Sequence, residues 1–119
     1  MGNNKIIGDY GEGLACNYLI QNEYKILCRN YRTRFGEIDI IALKDKVLHI
    51  FEVKSRYSLK FGFPSECINK IKMQNIITTT QQYIYEYKFF KTNVEFDLIE
   101  IVLNYDNDNF IINHIKNIF

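Results

Sequence analysis

Two apolar runs carry acidic groups where a strand would normally turn toward a core. Gly36-Glu37-Ile38-Asp39-Ile40-Ile41-Ala42 is followed closely by Phe51-Glu52-Val53-Lys54-Ser55-Arg56. Both have the composition of β-strands, and strands of this kind exclude carboxylates unless something pairs with them. The runs read as strands from Glu37 to Leu43 and from Val47 to Arg56, with Lys44-Asp45-Lys46 between them as a hairpin turn. Residues two apart on a strand share a face, so Glu52 and Lys54 project together, roughly 7 Å apart. A two-residue turn at Asp45-Lys46 sets Asp39 opposite Glu52 on that face, with β-carbons about 5 Å apart. An odd-numbered loop would send Asp39 to the other side.

Two carboxylates at that separation repel, and they need a cation, a proton or a basic partner. Magnesium suits them, because it binds one or two carboxylates, keeps waters and accepts a phosphate oxygen. A metal so held acidifies a bound water and stabilises charge on phosphate. Lys54 could orient that water or neutralise a pentavalent phosphorus. The Val53 carbonyl, between Glu52 and Lys54, is a further candidate ligand if it lies on an edge of the sheet. The plainer alternative is an ion-pair cluster of Asp39, Glu52 and Lys54 on a solvated sheet face.

The rest of the chain places these strands. Asp9 to about Asn22 reads as a helix capped by Asp9, with Glu12 three residues on as in a capping box. Leu14, Ala15, Tyr18 and Leu19 make its buried face. Tyr24 to Arg34 reads as a strand ending in the basic cluster Arg29, Arg32 and Arg34. Tyr57 to Pro64 reads as a loop, and Ser65 as the cap of a long helix to about Tyr87. The apolar face of that helix is Ile68, Ile71, Ile76, Thr79 and Tyr83. Val94 to Leu103 is a strand, Asn104 to Asn109 a polar turn, and Phe110 to Ile115 a short last strand. The order is α-β-β-β-α-β-β. The expected fold is α/β, a single domain over residues 1–119 with helices on both sides of a mixed central sheet.

Composition narrows the class. The chain has 119 residues, 47% of them hydrophobic, enough for one core and too apolar for long disorder. Fifteen basic against fourteen acidic residues leave a net charge of +1. That excludes a protein that coats nucleic acid by charge alone, so any binding must be local or metal-assisted. Cys16, Cys28 and Cys67 are odd in number and form no C-x-x-C pair, which points to reduced thiols rather than a disulfide framework or zinc site. No basic start precedes an apolar run and no run approaches ~18 apolar residues, so the expected location is cytoplasmic, without a membrane span.

The joint pattern resembles the uncharacterised YraN-like family. The matching residues are Gly8, Gly11-Glu12 and Ala15, then Asn30-Tyr31-Arg32, then the two runs above. Gly62-Phe63-Pro64, Glu66, Lys72 and Phe96-Asp97 follow in the family's order. That family is a branch of the restriction-endonuclease-like superfamily, marked by a D…(D/E)-x-K core, and looks related to archaeal Holliday-junction resolvases. The resemblance implies a magnesium-dependent nuclease core, with manganese as a substitute. Asp39 and Glu52 would be metal ligands, Lys54 the catalytic lysine, and Glu12 would complete the metal site. One departure is Glu95, where the family commonly has arginine before Phe-Asp.

Other residues keep two readings each. Glu12 is either a metal ligand or the capping-box partner of Asp9. Glu37 reads as an exposed edge residue or as a group supporting the site from outside it. Arg32, Arg34, Arg56 and Lys72 are candidate nucleic-acid contacts, though Arg56 would serve equally as a solvated charge, and Lys70 and Lys72, near the start of the second helix, have the plainer reading of a wet helix face. Tyr31 and Tyr57 could stack on unpaired bases. His49, next to Ile50 on a strand, reads as an outward or packed histidine rather than a ligand, and His114 stands alone. The expected function is a metal-dependent endonuclease acting on DNA, branched or structured DNA included. The alternative is a non-catalytic module on the same fold that binds nucleic acid or recruits a partner. A third reading is a structural partner whose apolar patch, around Phe61, Phe63, Phe89 and Phe90, would also suit a homodimer.

Overall fold

The computed structural model describes residues 2–57, 69–104 and 106–119. Its elements are α1 (Gly2–Gln21), β1 (Lys25–Thr33), β2 (Gly36–Lys44), β3 (Val47–Tyr57), α2 (Lys70–Tyr87), β4 (Asn93–Leu103) and β5 (Phe110–Ile115). The order is the expected one. The strands form one five-stranded sheet in the order β1-β2-β3-β4-β5. Among the described strands β3 and β4 run parallel, and the other neighbours are antiparallel. A parallel pair needs a crossover, and α2 supplies it.

The helices cover opposite faces. Ala15, Cys16 and Leu19 of α1 pack on Ile40, Ala42, Phe51, Ile99 and Ile101. Ile76 and Tyr83 of α2 pack on Ile38, Ile41, Leu48 and Ile50. The β2–β3 hairpin closes on two residues. Lys44 pairs with Val47, and Asp45 (φ 51) and Lys46 (φ 66) both take the left-handed conformation that a tight turn between twisted strands requires. The even loop is therefore real.

Some boundaries differ from the sequence reading. Helix α1 runs back to Gly2, so Asp9 is an exposed interior residue and not a cap. Ile7 packs against the α1-side core, and that contact carries the helix past Asp9. Helix α2 is capped by Asn69, whose side chain accepts the Lys72 N–H at 2.8 Å. Ser65, Ile68 and the expected loop beyond Tyr57 lie outside the described residues, and Tyr57 itself belongs to β3. Ile71, expected on the buried face of α2, is 75% exposed, whereas Thr79 and Thr80 are buried. Each threonine returns its hydroxyl to a carbonyl one turn back, Asn75 and Ile76, which satisfies it inside the core.

Helix α1 meets β3 very closely at one point. A β-carbon on Gly11 would overlap Ser55 Oγ and come within 2.7 Å of Ser55 Cβ. Gly11 is thus a close-approach glycine that lets α1 sit on the sheet. Among the described residues no helix is long and apolar enough to cross a membrane. Cys16 is buried and Cys28 half-buried, both as free thiols.

Candidate functional site

The β2–β3 ladder runs from Lys44↔Val47 to Ile40↔Phe51. At Asp39 strand β2 loses its regularity. Ile38 packs on the α2 side and Ile40 on the α1 side, although an unbroken strand would put them on one face. On the other flank, Arg29↔Ile40 and Tyr31↔Ile38 pair, and the intervening Asn30 is left-handed (φ 54). The Asp39 carboxylate takes the place of a ladder partner, because its Oδ2 accepts the Val53 N–H at 2.8 Å. This fixes Asp39 beside the Glu52-Val53-Lys54 run, as the even loop implied. Val53 does not lie on an edge of the sheet, since β3 is the middle strand.

Glu52 is buried, with 8% of its surface exposed. Its Oε1 receives the Lys72 ammonium at 2.5 Å and lies 3.5 Å from the Lys54 ammonium. Lys72 therefore reaches the site from the first turn of α2. Its ammonium pairs with Glu52 in the acidic cluster, a contact that the sequence does not reveal. Asp39, Glu52 and Lys72 line an open cleft of roughly 340 Å³ with Gly36, Glu37, Asn75 and Ile76. Gly36 makes room for α2 here, since a β-carbon would lie 3.2 Å from Thr79 Oγ1 and 3.3 Å from Asn75 Cβ.

The electrostatics follow from burial. Desolvation, and then the charge of Glu52, push the Asp39 carboxyl up to about 7, while the Val53 N–H pulls it back. Burial alone would lower the Lys72 ammonium, but its bond to Glu52 and their mutual attraction outweigh that and raise it. Glu12 also acts on Asp39 through its charge. Glu12 is not a capping-box partner, because the helix begins well before Asp9. Burial pushes its carboxyl upward against the pull of Arg29, which lies 3.7 Å away. Glu12 Oε1 is buried without a hydrogen bond.

The basic candidates are scattered. Arg56 pairs with buried Glu100 at 2.9 Å. Arg32 pairs with Glu37 at 3.2 Å on the exposed β1–β2 rim. Arg34 lies over the Phe35 ring at 4.8 Å from its centroid, beside the same rim. Tyr31 donates to Glu86 at 2.6 Å and packs edge-on against Tyr83, and Tyr57 packs on the α1-side core. Both residues are half-buried. Phe61 and Phe63 lie outside the described residues, Phe89 packs on the α2-side core and Phe90 is 64% exposed.

A second polar group, missed in sequence, lies on the α1 face. His49, Glu95 and Asp97 bring one ligand atom each to within 4.8 Å of one another and could hold a metal ion. His114 joins them at 2.8 Å from Asp97 Oδ2. They come from three strands, and the β3–β4–β5 pairing brings His49 and His114 to the Glu95–Asp97 pair of β4.

Fold and cleft together define a small single-domain α/β protein in which a splayed hairpin holds two carboxylates beside two lysines. The chain belongs to the uncharacterised protein family UPF0102, whose model matches residues 11–101. It is 49% identical over 116 residues to a UPF0102 protein of Clostridium botulinum (strain Alaska E43 / Type E3), covering 98% of this chain and 95% of that one. It is 44% identical to a UPF0102 protein of Clostridium novyi (strain NT), covering 98% and 97%. A UPF0102 protein of Clostridium perfringens (strain 13 / Type A) is 40% identical, covering 98% and 95%.

Proposed function

We propose that this protein is a metal-dependent endonuclease that hydrolyses phosphodiesters in DNA, with branched or structured DNA as its substrate class. The observation that carries the reading is the meeting of Asp39 and Glu52 in one open cleft, with Lys54 and Lys72 on the same Glu52 oxygen. The D…(D/E)-x-K pattern at Asp39, Glu52 and Lys54, and the resemblance to restriction-endonuclease-like proteins and archaeal Holliday-junction resolvases, support it.

The donor set fits magnesium or manganese. Asp39 and Glu52 offer hard oxygen ligands in a partly desolvated place, and the buried, unbonded Glu12 Oε1 is a third oxygen on the neighbouring helix. The Val53 carbonyl remains a candidate donor, on a stretch of β3 whose N–H is already taken by Asp39. When bound, the cation would supply a more acidic water and charge neutralisation at the phosphate. Asp39, anchored by Val53, and Glu52, held between two ammonium groups, are positioned in advance of substrate. Lys54, the more loosely held lysine of the pair, is the group free to turn toward a phosphate oxygen or an attacking water. Arg32, Arg34 and Lys72 are the remaining candidates for contact with the DNA backbone, and Arg56 would reach it only by leaving Glu100.

The test is a labelled panel of linear, single-stranded, flap and four-way-junction DNA with magnesium or manganese, run beside Glu52→Ala. Metal-dependent cutting that disappears in the variant supports the reading. Cutting that survives Asp39→Asn and Lys54→Ala would place the activity elsewhere. A second reading is a non-catalytic binding module, favoured by the lysine pair that already neutralises Glu52 without a metal. Its mark would be binding to one DNA shape with no cleavage and no measurable magnesium affinity.

A further inference from the structure

We propose that His49, Glu95 and Asp97 form a separate site for a divalent transition ion of the zinc or manganese class, on the sheet face opposite Glu52 and α2. The parallel ladder builds it. His49 is in register with Glu95, and Asp97 follows two residues on, so the three side chains share one face of adjacent strands. His49 Nδ1 lies 3.3 Å from Glu95 Oε2 and 3.7 Å from Asp97 Oδ2. Ligands held by one ion at about 2.0–2.2 Å stand roughly 3–3.5 Å apart, so little movement is needed to close the shell.

The cluster is more than a gathering of acids. His49 is 7% exposed, yet its Nδ1 has no hydrogen-bond partner, and neither does the facing Glu95 Oε2, which is also buried. Two buried polar atoms that face each other unbonded can share one cation as a common partner. Asp97 is fully buried and already aimed: His114 Nε2 holds its Oδ2 at 2.8 Å, and the Asn117 N–H holds its Oδ1 at 3.1 Å. Tyr18 stands 3.1 Å behind the other nitrogen of His114. Such an outer layer orients ligating carboxylates in metal sites.

The donors select the ion. One imidazole nitrogen with two carboxylates suits zinc, manganese or cobalt, whereas magnesium and calcium prefer oxygen alone. The Glu95 side chain is 22% exposed and gives the ion a way in. A bound ion would tie β3 to β4 and, through His114 and Asn117, to β5 and the segment after it.

The experiment uses the full chain, stripped with chelator and titrated with cobalt(II) as a visible probe and with zinc by calorimetry. Glu52→Gln serves as the background, so that the Asp39–Glu52 cleft does not contribute. The expected result is one strongly absorbing cobalt site per chain in that background. Glu95→Gln should weaken it at least about tenfold, and His49→Gln similarly. Glu95→Gln, at a partly exposed position, carries the test if His49→Gln does not fold. Absence of cobalt and zinc binding up to about 1 mM, or binding unchanged by Glu95→Gln, overturns the proposal.

Discussion

Asp39 is the residue where chemistry and stability meet. In the folded chain its carboxyl is pushed up to about 7 from 3.8, first by burial and then by Glu52. The folded state thus holds that proton more tightly than the unfolded state. The stabilisation is complete below about pH 4 and is lost as pH rises through about 7, amounting to at most about 4 kcal/mol. Without metal, the melting temperature should fall between about pH 5 and about pH 8. Asp39→Asn keeps an acceptor for Val53 and should flatten that slope; a variant whose melting curve still tracks pH like the parent would refute this account. Lys72 gives a second expectation. Lys72→Met leaves buried Glu52 with the more distant Lys54 as its remaining cation among the described residues, and should cost about 1–3 kcal/mol in chelator. Magnesium should restore much of that loss if the cleft holds the ion, and melting with and without magnesium checks it. Lys72's place in the cleft was not legible in the sequence, because α2 reaches the cleft only through the crossover.

At the scale of elements, the hairpin was the readable part. A two-residue loop forces even parity, and parity alone placed Asp39 beside Glu52. The ends of the helices were less legible, since more than one polar residue can cap each start. Asp9 was a good cap by type, but packing of Ile7 carries α1 through it. The irregularity at Asp39 was also hidden, because it coincides with a left-handed Asn30 across the ladder that no local pattern announces. The α1–β3 contact makes a sharp prediction. Gly11→Ala should destabilise by about 1–3 kcal/mol, since the added methyl overlaps Ser55. Ser55→Ala should be neutral or slightly stabilising, because Ser55 Oγ is buried without a hydrogen bond. Denaturant unfolding of the two variants separates these cases, and equal destabilisation by both would contradict the packing described.

Across the whole molecule, β3 and β4 form the centre and the helices close both faces. The single α/β domain with helices on both faces followed from element order and apolar patterning. The His49–Glu95–Asp97–His114 group did not, since its members come from three strands whose register no local pattern records. Amide exchange should be slowest at Leu48–Phe51 and Leu98–Ile101, where burial is nearly complete on both faces. Fast exchange there, with slower exchange in β1 or β5, would mean that the centre of stability lies elsewhere.

Strand β3 is read on both sides at once: Glu52 and Lys54 serve the α2 side, and His49, Phe51 and Ser55 serve the α1 side. Its length is therefore a tighter constraint than most of its letters. Inserting or deleting one residue between His49 and Glu52 would exchange the two faces downstream, driving carboxylate and lysine into the packed aromatic layer and an aromatic ring into the cleft. Drift in this strand should proceed by substitution, with gaps confined to the turn before it.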